Sequence, residues 1–209
     1  MFRQISKELK KHAPFTIFGA ITGIIIMAVS LKLPYKISYN IFYVLHPFHV
    51  VLSALVTASM YKLHTCERIS GKCISGKCNL WILLIIGYIG SVGIATLSDS
   101  IIPYIGETML NMPNRGIHLG FIEKWWLVNP LAIAGIITAY FWPKTKFPHA
   151  GHVLLSTWAS LFHIVMALGG GSLKWFLYPI IGLFLFIAVW LPCCVSDIVF
   201  PLLFVRKNK

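Results

Sequence analysis

An all-α, polytopic membrane fold built as two inverted-topology three-helix repeats is what this sequence predicts, and three observations carry the prediction. The first is composition: of 209 residues, 57% are hydrophobic and 11% charged, with a mean hydropathy of +0.78, whereas soluble domains carry about 25% charged residues. The second is that the apolar residues form runs long enough to cross a hydrocarbon core of about 30 Å, which takes about 20 helical residues. The third is that two phrases are each written twice. Ser98-Asp99-x-x-x-Pro103 recurs as Ser196-Asp197-x-x-x-Pro201, and His46-x-x-His49-Val50-x-Leu52-Ser53 recurs as His149-x-x-His152-Val153-x-Leu155-Ser156, identical at five of eight positions.

Spans are expected at about 14–31, 39–62, 80–104, 127–143, 150–170 and 175–205. They are helices because only helices and closed barrels satisfy their backbone in lipid, and the chain lacks the many short alternating segments of a barrel. The first span follows a basic segment, residues 1–13, that contains Arg3 to Lys11. No small-x-small cleavage site follows it, so it reads as an anchor and not a signal peptide. Gly23-Ile24-Ile25 within it also has a counterpart at Gly135-Ile136-Ile137 in the fourth span. The second span carries the first His-x-x-His, and the third ends on the first Ser-Asp, so residues 14–107 make one repeat. A connection at 108–126 follows; with its flanks it carries Glu107, Arg115, His118, Glu123 and Lys124 beside Trp125 and Trp126, residue types suited to the headgroup level. Residues 127–205 make the second repeat, with Gly169, Gly170 and Gly171 as the turn between its last two spans. The chain closes on a basic tail at 206–209.

Each repeat has three spans, an odd number, so the second copy enters the membrane in the opposite sense to the first. The net charge of +12 is spread through short loops and reports orientation instead of nucleic-acid binding. With both termini inside, thirteen Lys and Arg lie in inside segments and five (Lys32, Lys36, Arg115, Lys124 and Lys174) outside. The expectation is an integral protein of the plasma (inner) membrane with both termini cytoplasmic. Cys66, Cys73 and Cys78 then occupy a reducing compartment, and their irregular spacing matches no paired-cysteine zinc pattern.

The candidate site follows from chemistry. Asp99 and Asp197 are the only aspartates in the chain, and both lie in apolar stretches. A carboxylate inside a membrane costs on the order of a few kcal/mol unless a cation or protonated imidazole compensates it. His46, His49 and Ser53 recur at three- and four-residue spacing and so share one helix face, as do His149, His152 and Ser156. Each stripe is expected to meet its aspartate, giving two His/His/Asp clusters, His46, His49 and Asp99 in one and His149, His152 and Asp197 in the other. Counting helical rise places them roughly 15 to 20 Å apart along the membrane normal. Pro103 and Pro201 each free the carbonyl four residues earlier, that of the aspartate. Two imidazoles, a carboxylate and such oxygens as Ser53, Ser98, Ser156 and Ser196 suit Zn²⁺, Fe²⁺ or Mn²⁺. Structural polar clamps between helices would use the same residue types. Cys193 and Cys194 stand opposite Ala95 and Thr96 when the aspartates are aligned, so a soft thiol pair belongs to the second copy alone. His118 is placed to lid the first cluster.

No phosphate loop, nucleophile elbow, His-Glu-x-x-His or dinucleotide fingerprint is present, which argues against nucleotide-driven chemistry in this chain. In residue type the intramembrane Ser, His and Asp sets resemble those of zinc-dependent lipid amidases of the alkaline ceramidase kind; the spacings differ, and no residue is carried over. Three functions follow as expectations. The first is a secondary transporter of a divalent cation or proton, as inverted repeats often are. The second is a membrane-embedded metal-dependent enzyme acting on a lipid or quinone. The third is a haem-b electron carrier, disfavoured because each His-x-x-H pair sits on one helix. The partners expected are the bilayer, a small cation or lipid-soluble substrate and, as an open option, further copies of the chain, with no nucleic acid.

Overall fold

The computed structural model describes residues 2–65, 68–69, 72–73 and 79–205. Cys66 and Cys78 lie outside them, while Cys73 sits in a two-residue antiparallel ladder, Arg68–Ile69 against Lys72–Cys73. Apart from that ladder the described elements are helical: α1 (Phe2–Ser30), α2 (Tyr35–Thr65), α3 (Leu80–Met109), a single turn α4 (Gly120–Glu123), α5 (Trp125–Phe141), α6 (Lys146–Leu168) and α7 (Leu177–Leu203). Five of these, α1, α2, α3, α6 and α7, are long and apolar enough to cross a membrane; α5, at 17 residues, is apolar but shorter. The protein thus has the character of an integral membrane protein.

Burial is inverted relative to a soluble domain. Ile17, Ile21, Ile25, Ile85, Leu183 and other large apolar side chains face outward, while His46, Asp99, Ser156, His163 and Asp197 are buried. Where the solvent is hydrocarbon, exposed isoleucine costs nothing, and polar groups withdraw to where they can bond one another. The central helices are α2 and α6, which pack along each other; 78% of the α6 span is buried against 33% for α1. Apolar packing around Phe42, Met27, Ile181 and Leu185 fixes the two central helices to α1 and α7.

The neighbour pattern is unchanged by exchanging α1 with α5, α2 with α6 and α3 with α7. Thus α1 packs on α6 and α7, α5 packs on α2 and α3, and the contacts of α2 with α7 mirror those of α6 with α3. Small residues permit this closeness: a Cβ at Gly135 would lie 2.5 Å from the carbonyl oxygen of Val51, and one at Gly19 2.9 Å from Thr157. Gly169 and Gly170, both with positive φ, end α6 as the glycine run predicts.

The two Ser-Asp phrases share an unusual backbone. Each forms a π turn, Leu97–Ile101 in α3 and Val195–Val199 in α7. Pro103 and Pro201 have no N–H to give to the carbonyls of Asp99 and Asp197, so the ladder slips: Ile102 bonds the carbonyl of Leu97 and Phe200 that of Val195, each five residues back. A further π turn in α3, Ile89–Gly93, has no counterpart in α7 among the described residues.

Candidate metal centre

Helix α2 presents His46 and His49 on one face, one turn apart around Pro47, and both rings reach the π turn of α3. Their Nδ1 atoms lie 2.9 and 2.6 Å from the same oxygen, Oδ2 of Asp99. The other oxygen, Oδ1, accepts hydrogen bonds from the hydroxyls of Ser98 and Ser156, each at 2.8 Å. Four bonds therefore surround a carboxylate with 0% exposure, which is the compensation a charge in low dielectric requires. Phe42 stacks on His46 at 5.3 Å and holds its ring. The His46 Nε2 atom is buried with no hydrogen-bond partner among the described residues, and a Cβ at Gly120 would sit 2.5 Å from it. The bare backbone of α4 is thus what covers the first cluster.

Helix α6 repeats the arrangement. His149 Nδ1 contacts Asp197 Oδ2, and His152 Nε2 lies 3.3 Å from the same oxygen. His149 is 17% exposed, so this cluster opens to the surface where the first is sealed. Asp197 Oδ1 is buried and has no hydrogen-bond partner among the described residues.

Serines cross between the halves. Ser156 of α6 reaches Ser98 Oγ at 3.2 Å, and Ser53 of α2 lies 3.3 Å from Ser196 Oγ. One helical turn further, Ser160 donates to the carbonyl of Ser98 and Thr57 to that of Ser196, both carbonyls of the π turns. Ser196 also donates to the carbonyl of Gly90 at 2.8 Å, which turns it away from Asp197.

The separation of roughly 15 to 20 Å expected between the clusters is not observed. His49 stacks on His152 with ring centroids 5.6 Å apart and planes at 17°. The expectation counted rise along the helices, whereas the inner histidines of the two pairs, His49 and His152, meet directly where α2 packs on α6. Three groups of possible ligands result: His46, His49 and Asp99; His49, His152 and Cys193; and His149, His152 and Asp197, the ligand atoms of each group lying within 4.8 Å of one another. Each group has the donor number of a three-ligand Zn²⁺ site, and the middle one adds a soft thiol. The hydrogen-bond distances at Asp99 are somewhat shorter than the spacing between ligands of a tetrahedral ion, about 3.3 Å for bonds of about 2.0 Å, so an ion there would spread the imidazoles by a few tenths of an ångström.

Cys194 is buried at the next position but belongs to none of these groups, and neither does His118. The backbone N–H of His118 donates to Ser100, and its ring pairs with Glu123 at 3.3 Å and with the Tyr35 hydroxyl at 3.4 Å. Two residues outside the expected set complete the polar interior: His163 and Glu107, both buried, paired through Nδ1 and Oε1 at 2.5 Å. The signal for His163 was its place eleven residues beyond His152, three turns along the same stripe; Glu107 carried no local signal. Comparison with family models, with curated proteins and with solved structures finds no match.

Proposed function

We propose that the protein is a secondary transporter that passes a small cation, Zn²⁺ in the first instance, along the three ligand groups between α2, α3, α6 and α7. The observation that carries this reading is the sharing of ligands: His49 belongs to the first and second groups and His152 to the second and third. An ion can therefore advance by exchanging one or two ligands at a time, never losing its whole shell, which keeps each step cheap in low dielectric. The two nitrogen donors and one sulfur donor of the middle group favour Zn²⁺ over Mn²⁺ or Fe²⁺ there. On this reading the protein has six spans, with α5 as the fourth, arranged as two inverted three-helix repeats about an axis between His49 and His152. The matched neighbour pattern, the paired π turns and the crossed serines support it. Both termini then lie on the cytoplasmic side of the plasma (inner) membrane, in keeping with thirteen basic residues against five.

The rival reading, a metal-dependent enzyme acting on a lipid or quinone, draws on the unbonded oxygen of Asp197 and the accessible His149 beside it, an open position where water could be activated. It also calls for a substrate cavity at the cluster. The apolar hollows between α1 and α7, between α3 and α5 and beside Phe184 contain no member of the three groups. A haem carrier fares worse, because His49 and His152 face each other ring to ring at 5.6 Å, with no room for a porphyrin between them. The test is reconstitution of the purified protein into liposomes: Zn²⁺ uptake by wild type, lost in both Asp99→Asn and Asp197→Asn, is the expected result. Absence of cation flux in folded wild type, together with turnover of a lipid or quinone, replaces this reading with the enzyme.

A further inference from the structure

Beyond the three ligand groups lies a second buried acid–imidazole pair. Glu107, near the end of α3, is 0% exposed and His163, in α6, 1% exposed. Glu107 Oε1 is 2.5 Å from His163 Nδ1, and Oε2 has no hydrogen-bond partner among the described residues. Neither residue has a counterpart in the other half, where the matched positions are Val205 and Met60. Inherited duplication therefore does not account for the pair.

Its surroundings lead in two directions. Toward the Asp99 cluster, His163 Nε2 is 3.4 Å from the hydroxyl of Ser100, the residue after Asp99. Phe42 packs edge-on to His163 and face-on to His46. Toward the surface, His118 lies 5.3 Å from the His163 ring, and its Nδ1 pairs with Glu123. Exposure rises along that route from 1% at His163 to 15% at His118 and 34% at Glu123. The other titratable groups packed around the route are Tyr35, Tyr39 and Tyr43 of α2, with Lys124 over the last two.

We infer that Glu107 and His163 form a proton-binding site, distinct from the cation groups, that exchanges its proton with the aqueous face at the 110–124 connection through His118 and Glu123. The inference rests on the transporter reading and makes its ion occupancy depend on the pH at one aqueous face. With one shared proton the pair is neutral overall, the cheapest state for two ionisable groups sealed from water. A divalent cation arriving at Asp99 brings positive charge to the same polar interior and favours release of that proton. The proton leaves the imidazole–carboxyl pair, passes to the His118 imidazole and then to the Glu123 carboxylate, and enters water; the site is left with one negative charge, which offsets part of the charge of the ion. Return of the ion to water reverses each transfer.

The experiment is calorimetric titration of purified protein with Zn²⁺ alone in buffers of different ionisation enthalpy, which counts the protons released per ion. In Glu107→Gln the count should fall by about one per Zn²⁺, with Zn²⁺ binding itself retained because Glu107 is no ligand of the ion. In liposomes the same variant should keep downhill Zn²⁺ flux and lose the dependence of that flux on the pH at the 110–124 face. An unchanged proton count in a folded variant that still binds Zn²⁺ overturns the inference and leaves the transporter reading standing; absence of Zn²⁺ binding and flux in wild type overturns that reading and the inference with it. His163→Gln carries the same test if Glu107→Gln does not fold. Failure of both to fold marks the pair as a structural clamp and overturns the inference.

Discussion

Asp99 and Asp197 are built from the same phrase, sit in the same kind of π turn and each meet the two histidines of one His-x-x-His, yet one is closed and the other open. At Asp99 both carboxylate oxygens are engaged, by two imidazoles and two hydroxyls, and every participant is buried. At Asp197 one oxygen faces two imidazoles, the other lacks a hydrogen bond among the described residues, and His149 reaches the surface. The difference comes from the serines. Ser98 turns toward its own aspartate, whereas Ser196 is drawn off by the carbonyl of Gly90, with Ser53 and Thr57 against its hydroxyl. A repeated motif thus gives one closed and one more open carboxylate site without any change in the shared His, Ser and Asp residues.

The comparison can be broken most forcefully at the carboxylates. Removing Asp99 strands two imidazoles and two hydroxyls in a sealed interior, so Asp99→Ala should cost about 3–5 kcal/mol, seen as a large fall in Tm in detergent. Asp197→Ala should cost clearly less, because one of its oxygens has no hydrogen bond among the described residues and His149 is partly exposed. Equal losses would show the two sites to be equivalent.

Gly120→Ala comes next. The added methyl would press on His46 Nε2 and should cost about 1–3 kcal/mol through overpacking, while lowering ion occupancy of the Asp99 group only. Titration with Co²⁺, followed by visible absorption, should then lose one class of site and keep the one at Asp197.

Ser156→Ala should cost about 1–3 kcal/mol because it removes a donor from a buried carboxylate, and Ser53→Ala only about 0.5–1.5 kcal/mol because Ser196 keeps other partners. Chemical or thermal unfolding of the pair of variants ranks them directly; the reverse order would mean that Ser53 also serves an aspartate. The smallest effect on stability is expected from Cys193→Ser, a near-isosteric change at a buried site. Its consequence is spectroscopic: the thiolate-to-Co²⁺ charge-transfer band should vanish while bands from imidazole and carboxylate ligation persist. Persistence of the thiolate band would assign the sulfur to Cys194.

Much of this was legible before any coordinates. Helix positions followed from apolar runs, the partners of each aspartate from three- and four-residue spacing, and the interruptions in α3 and α7 from Pro103 and Pro201. What could not be read was anything set by the crossing of α2 and α6. The stacking of His49 on His152, the membership of Cys193 in a shared group and the reach of Ser156 to Asp99 are contacts between different helices and between residues separated by 41 positions or more, which periodicity does not encode. The contacts of His118 with Glu123, Tyr35 and Ser100 were likewise not readable, since a connection without helical periodicity gives no bearing on where its side chains point.

The π turn at Leu97–Ile101 acts on the rest of α3 as a phase shift. Eight residues separate Asp99 from Glu107, and on a regular helix of 3.6 residues per turn the later side chain would stand about 80° round the axis from the earlier one. A π turn uses more residues per revolution, so everything beyond it is wound back toward the starting direction. Asp99 and Glu107 consequently address the same helix, α6, one at Ser156 and the other at His163. A proline that only withholds one N–H has thereby retimed the screw of the helix and brought two carboxyl groups into line.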